Sequence, residues 1–425
     1  MHPQALLDSC AELVALTLKF DHPADAVVAR YFRLHKNLGP RERNTLAETV
    51  FNVLRKKLLL EAFAQAAPKG SGAKERKLAI LGFFGPRDFL KSVLNDAEKT
   101  WLDRCDAVDV NANGNGLMDL HRHNLPEWLA AALKAQVGEG FWPLVASFAE
   151  MAPLDVRVNI FKQKRAVATE LLASAAIKSE VTPYSPWGLR LVGKPALNKQ
   201  PSYLEGEIEV QDEGSQLLAL LVDAGRGEMV VDFCAGAGGK TLALGAAMKN
   251  TGRLYAMDTS AHRLDALKPR LARSGLSNVH PVVIAHERDE RIKRLAGKID
   301  RVLVDAPCTG LGTLRRNPDL KWRHNPQGVA ELALLQAAIL HSAARLLKPG
   351  GRLVYATCSV LPQENEAIAQ AFSQAHPDFT PLDVAALLTA LKVPAAEGLC
   401  TGPYMRLWPH LHQTDGFFAA VWQKT

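Results

Sequence analysis

From about residue 210 onward, short apolar runs rich in Val, Leu and Ile alternate with longer stretches of helical spacing. The runs at 229–233, 253–258, 279–285, 301–305 and 352–358 predict strands, and the longest intervening helix is predicted from about 326 to 347. This alternation predicts an α/β fold, a doubly wound parallel sheet covered by helices on both faces. The tail at 416–423 reads as a further strand, antiparallel beside the last parallel one.

Residues 1–150 read as helical. Apolar positions recur with helical spacing over 5–20. Pro40 after Gly39 suits the first turn of a helix running to about 67, with Leu46, Val50, Val53 and Leu54 on one face. Residues 68–73 break the pattern, and helices are predicted again over 77–94 and 127–136. Between these regions, Leu154 to Ile160 alternates like a strand, a helix is predicted over 165–176, and Pro183, Pro186 and Gly188 punctuate short strands near 189–192. The predicted domains are therefore an all-helical one over 1–150, a small α+β module over 151–210 and a catalytic α/β domain over 211–425.

Composition narrows the class. The 425 residues are 48% hydrophobic and 22% charged, ordinary for a globular chain. No apolar run approaches the roughly 20 residues that span a bilayer, and the N-terminus lacks the features of a secretory signal. Six cysteines, at 10, 105, 234, 308, 358 and 400, form no CxxC pair. The expectation is a cytoplasmic protein without structural zinc, disulfide framework, metal or membrane contact. A net charge of +7 suits a polyanionic partner. Arg30, Arg33, Lys36, Arg41, Arg43, Arg55, Lys56 and Lys57 concentrate positive charge. Singly each is an ordinary solvated residue; together they suggest nucleic acid.

The run Val230-Val-Asp-Phe-Cys234-Ala235-Gly236-Ala237-Gly238-Gly239-Lys240-Thr241 is a strand, a glycine-rich turn and a helix start, built for close approach of a ligand. A phosphate-binding P-loop would need glycine where Cys234 stands, and a dinucleotide fingerprint would need it at Thr241. The reading left is a loop for S-adenosylmethionine. Asp258 ends the next predicted strand, where an acid accepts ribose hydroxyls; it could instead cap the helix that follows, as could Ser260. Two thiols, Cys308 and Cys358, each close an apolar run and should emerge at one sheet edge, an arrangement for covalent chemistry on an electrophile. Arg315, Arg316, Lys321 and Arg323 around Trp322 read as a basic, aromatic loop suited to phosphates and stacking. Cys234 reads as a packing residue.

With Asp305-Ala-Pro-Cys308-Thr-Gly310 and Thr357-Cys358-Ser359 in order, the chain resembles the RsmB/Nop2/Sun family of RNA cytosine-5 methyltransferases. The resemblance runs from about Pro153 to the C-terminus and includes Glu209 to Gln216, Gly312 to Arg323 and Pro362 to Glu366. The N-terminal helices are similar to a NusB-like RNA-binding domain, and the segment near 153–205 to a ferredoxin-like module. The resemblance implies a class I, Rossmann-like methyltransferase using S-adenosylmethionine. Cys358 would be the nucleophile on cytosine C6, Cys308 would serve product release, and Asp305 would contact the cytosine edge and act as an acid. The cofactor would lie on Cys234, Ala235, Gly236, Ala237, Gly238, Gly239, Lys240, Asp258, Arg263, Glu287 and Asp305. Two positions depart from the family pattern: Ala237 replaces a usual proline, and His286 or Glu287 stands where an aspartate near the adenine is usual. The implied partner is RNA, 16S rRNA foremost, bound by a monomer, with no DNA or membrane. A tRNA-directed enzyme and a non-catalytic ribosome assembly factor are the alternatives. The target cytosine must be single-stranded or flipped out.

Overall fold

In the computed structural model, the described residues are 1–110, 112 and 116–425. They form two compact units: Met1–Met151 with Leu314–Asn325, and Ala152–Thr313 with Pro326–Thr425.

The first unit is helical: α1 (Pro3–Thr17), α2 (Ala24–Leu34), α3 (Pro40–Arg55), α4 (Lys57–Gln65), α5 (Lys74–Gly82), α6 (Asp96–Asp106), α7 (Glu127–Val137) and α8 (Phe141–Ala149). Leu7, Leu13, Leu46, Val50, Leu78 and Leu102 are among its buried core. The helix expected from Pro40 to about 67 breaks at Lys56. There Asn124 Oδ1 accepts from Leu59 N at 3.1 Å, a cap supplied from 65 residues away that no local pattern reveals. The expected helix over 77–94 also divides, into α5 and a short turn, Arg87–Lys91. Pro86 forces the preceding residue, Gly85, out of helical geometry.

The segment 314–325 packs into this helical unit. Trp322 Nε1 donates to Leu54 O at 2.9 Å, Lys321 Nζ to Arg55 O at 2.9 Å, and Arg55 Nη2 to Arg315 O at 3.2 Å. Asp319 Oδ2 accepts from Ala24 N, at the start of α2. The expectation of a basic, aromatic loop suited to phosphates and stacking is corrected here: Lys321 and Arg315 are buried, and Trp322 packs against the helical core. Burial, with Arg55 and Lys57 nearby, pushes the Lys321 ammonium down to about 7. Arg55 is likewise buried, so of the basic cluster Arg30, Arg33, Lys36, Arg41 and Lys56 stay exposed.

The second unit contains two sheets. The smaller has the order β2-β3-β1-β4, from β1 (Leu154–Val158), β2 (Ser179–Val181), β3 (Gly188–Leu191) and β4 (Ile208–Val210), with α9 (Arg165–Ser174) supplying Ala168 and Leu172 to its core. The larger contains β5 (Met229–Asp232), β6 (Arg253–Asp258), β7 (Val279–Val283), β8 (Ile299–Asp305), β9 (Leu347–Thr357), β10 (Phe379–Leu382), β11 (Cys400–Thr401), β12 (Tyr404–Leu407) and β13 (Phe417–Lys424). Its order is β11-β12-β13-β9-β8-β5-β6-β7, with β10 also paired to β13. Strands β5 to β9 run parallel, and β13 is antiparallel beside β9, with Phe418 opposite Thr357.

The central strands are apolar on both faces because both are covered. Val230, Leu303 and Val354 pack with α10 (Glu213–Val222), α11 (Gly239–Ala247) and α12 (Ala261–Ser274); Val231, Val302 and Tyr355 pack with α13 (Pro326–Ala344) and α14 (Glu366–Ala375). This is the doubly wound sheet the alternation predicts. The strand order reverses between β5 and β8, and the crevice at the carboxyl ends of strands at such a point is where open α/β sheets bind ligands.

Candidate active site

The glycine loop connects β5 to α11. Gly236 and Gly238 both adopt left-handed backbone, at φ 56° and 83°. At Gly238 a Cβ would come within 2.2 Å of Leu267 Cδ1, so conformation and space both demand glycine. Asp258, nearly buried at the end of β6, accepts from Gly236 N through Oδ2 at 2.8 Å and from Ser260 N through Oδ1 at 2.7 Å. Ser260 caps α12 by accepting from Arg263 N. The two readings of Asp258 thus separate: the cap is Ser260, and the carboxylate faces the loop.

The loop is braced from the small sheet. Arg157 of β1 donates to Gly239 O at 2.7 Å and to Gln211 Oε1. Arg270 donates to Ala237 O, and Glu209 pairs with Arg270 at 3.2 Å and Arg273 at 2.7 Å. The brace itself carries no sequence signal, since Arg157 and Gly239 meet across 82 residues. Asp232 was also missed. It accepts from Thr241 Oγ1 at 2.6 Å, and burial pushes its carboxyl up to about 7. An acid ending the strand before the loop was its available signal.

A cleft of about 770 Å³ opens beside the loop. Its lining includes Cys234, Ala235, Gly236, Ala237, Gly239, Lys240, Asp258, Arg263, Glu287, Asp305, Cys308 and Cys358. Every expected site residue except Gly238 therefore faces one space, and Gly238 instead occupies the N-cap position of α11. Both His286 and Glu287 line the cleft; His286 Nδ1 accepts from Arg288 N. Leu335 and Ile339 of α13, Ile284, Gln211 and Ser215 also line the wall and were not foreseen.

Lys240 Nζ reaches across the cleft to Asp305 Oδ2 at 2.7 Å. Burial works against the ammonium, but Asp305 outweighs it and the lysine is held above its ordinary value. Cys308 Sγ lies 3.4 Å from Cys358 Sγ. The contact with Cys358, then burial, raises the Cys308 thiol well above its usual range. Burial and the nearby carboxylates of Asp305, Asp232 and Asp258 likewise raise the Cys234 thiol well above its usual range.

A nucleoside sulfonium fits these residues. The carboxylate of Asp258 lines the cleft, the glycines leave the loop backbone accessible, and apolar walls are supplied by Ile284, Leu335 and Ile339.

Residues 219–423 match the protein-family model described as 16S rRNA methyltransferase RsmB/F, and residues 125–198 that of an RsmF/B-like ferredoxin-like domain. The probable ribosomal RNA small subunit methyltransferase B of Synechocystis sp. is 30% identical, over 95% of this chain and 96% of the relative. The crystal structure of PH0851 superposes with a TM-score of 0.80 at 27% identity, covering 100% of this chain and 99% of the other. A methyltransferase homolog from Pyrococcus horikoshii superposes with a TM-score of 0.61 at 28% identity, covering 72% of this chain and 97% of the other.

Proposed function

Because the chain belongs to the RsmB/F family of 16S rRNA methyltransferases, we propose that it methylates C5 of a cytosine in 16S rRNA through a covalent adduct between Cys358 and C6. The observation that carries this reading is the pair of thiols 3.4 Å apart in the same cleft as the glycine loop.

Cytosine C5 is too weak a nucleophile to take a methyl group unaided. A thiolate adding at C6 turns the ring into an enamine that is nucleophilic at C5, splitting one difficult step into easier ones. Cys358 Sγ is the attacking sulfur in this reading. Cys308 Sγ lies beside that sulfur; after methyl transfer, with Cys358 tied up as a thioether, Cys308 acts as a thiolate that has given its own proton to solvent: it takes the C5 proton, the C5–H electrons re-form the C5=C6 bond, and the C6–S electrons leave on Cys358 Sγ. Asp305 holds the N3/N4 edge of the base and acts as the acid, and Lys240, charged at its side, orients that carboxyl group.

Asp258 would hold the ribose of S-adenosylmethionine and the loop from Cys234 to Lys240 its amino-acid end, and the bound cofactor would supply an electrophilic methyl on sulfonium. Arg263, His286 and Glu287 line the same cleft, and Arg263 with either His286 or Glu287 would flank the adenosine side. The base must leave its stack to reach this cleft, so an unpaired or flipped cytosine is the substrate. Arg30, Arg33, Lys36 and Arg41 of the helical unit supply exposed charge for the RNA backbone.

Incubating Cys308→Ala with S-adenosylmethionine and 16S rRNA should accumulate a denaturant-resistant protein–RNA adduct, since attack proceeds and release fails. Cys358→Ala should form none and methylate nothing. An adduct with Cys358→Ala would invert the assignment of the two thiols, and absence of methylcytosine with the unmodified protein would overturn the reaction.

A further inference from the structure

We propose that Glu364 is a positioning residue, a buried carboxylate clamp that holds the Cys308 and Cys358 loops at the separation their chemistry uses; this rests on the reading that the two thiols work as a pair. Glu364 lies in the turn Pro362–Glu364 after β9 and has no exposed surface. Its Oε1 accepts from Thr309 N at 2.8 Å and Gln336 Nε2 at 2.9 Å. Its Oε2 accepts from Thr309 Oγ1 at 2.6 Å and from Ser359 Oγ. Thr309 is the residue after Cys308, and Ser359 the residue after Cys358. One carboxylate thus binds the neighbours of both thiols. Gln336 extends the clamp to the other side of Cys308 by donating to Pro307 O at 3.0 Å.

The arrangement is costly for a merely structural part. Glu364 makes no ion pair among the described residues, and a carboxylate without a cation is carried into an interior only at a large desolvation penalty. Four converging donors repay the penalty only while both loops stay in place, so the charge converts loop displacement directly into lost hydrogen bonds. The turn itself is held from below by Tyr355 OH, which donates to Glu364 O at 2.6 Å. A second tie acts through the backbone: Gly312 N donates to Cys358 O at 2.8 Å, and a Cβ on Gly312 would lie 2.1 Å from Gly416 O.

The test measures thiol geometry without RNA or cofactor. Dibromobimane, which becomes fluorescent on bridging two thiols, should bridge the pair in the full-length protein, with Cys308→Ser as the control that abolishes the signal. Glu364→Gln and the smaller change Thr309→Val should each slow bridging and lower kcat by roughly ten- to a hundredfold, the effect of a reacting group displaced by about an ångström. S-adenosylmethionine affinity should stay as in the unmodified protein, and Thr309→Ser, which keeps the hydroxyl, should restore both readouts. Unchanged bridging and kcat in Glu364→Gln and Thr309→Val would overturn the proposal. If bridging depends on Glu364 while neither the unmodified protein nor Cys308→Ala reacts with RNA, the clamp stands and the cytosine reading fails.

Discussion

Lys240 Nζ donates to Asp305 Oδ2 across 2.7 Å, joining the first turn of α11 to the end of β8. The contact connects the loop proposed for the cofactor to the carboxylate proposed for the base. Lys240→Met should lower single-turnover methyl transfer by roughly a hundredfold, the scale of losing one preorganised charged partner, with the fold intact by circular dichroism. The sign with pH follows from the raised lysine value. The stabilisation is fully present below the ordinary lysine value and is lost as pH rises through the raised one. Stabilities of the variant and the unmodified protein should therefore converge in strongly alkaline solution.

Asp258 binds the loop backbone and lines the cleft with the same carboxylate. Asp258→Ala should weaken S-adenosylmethionine binding, measured calorimetrically, by roughly tenfold or more, because hydrogen bonds to a charged group contribute about 1.5–3 kcal/mol each. Affinity equal to that of the unmodified protein would remove Asp258 from the cofactor site.

Gly238→Ala combines a left-handed backbone with a methyl group 2.2 Å from Leu267 Cδ1. The expected outcome is a loss of about 1–3 kcal/mol in denaturant-unfolding stability, together with weaker cofactor binding. Gly227 also has positive φ, but no atom lies near its added Cβ; Gly227→Ala should therefore show the smaller backbone effect alone.

Lys321 carries its charge into the helical unit at a cost. Its ammonium is depressed to about 7, so between that pH and the ordinary lysine value the unfolded chain binds more protons and stability rises with pH. The penalty is complete below pH 7. Lys321→Met should raise the melting temperature more at pH 6 than at pH 9.5, offset in part by loss of the bond to Arg55 O. A pH-independent difference would contradict the buried-charge account.

Much of the catalytic fold was legible locally. The strand expected at 253–258 is β6, residue for residue, and the antiparallel tail is β13. Both follow from the two-residue period and from glycine and proline punctuation, which act over a few residues. Helix ends were less legible: the break at Lys56 depends on Asn124, and α2, α6 and α8 were not separated from their surroundings. Strands β10 to β12 escaped because they are short and are defined by pairing at the β13 edge.

The sequence by itself determined which residues stand at strand ends: the loop from Cys234 to Lys240, Asp258, Asp305, Cys308 and Cys358. Strand and turn signals are local, and an apolar run delivers its last residue to the sheet edge whatever the neighbours. Only the tertiary structure decided what those residues touch. The 3.4 Å between the thiols, the reach of Lys240 to Asp305, the brace from Arg157 and the clamp of Glu364 all depend on strand order and on side chains far apart in the chain. The same holds for Trp322, whose basic neighbourhood reads as a loop suited to phosphates and stacking but whose indole finds a backbone carbonyl in the helical unit. Charge and aromatic content are written in a segment; whether it meets solvent or a core is set by the space the rest of the chain leaves for it.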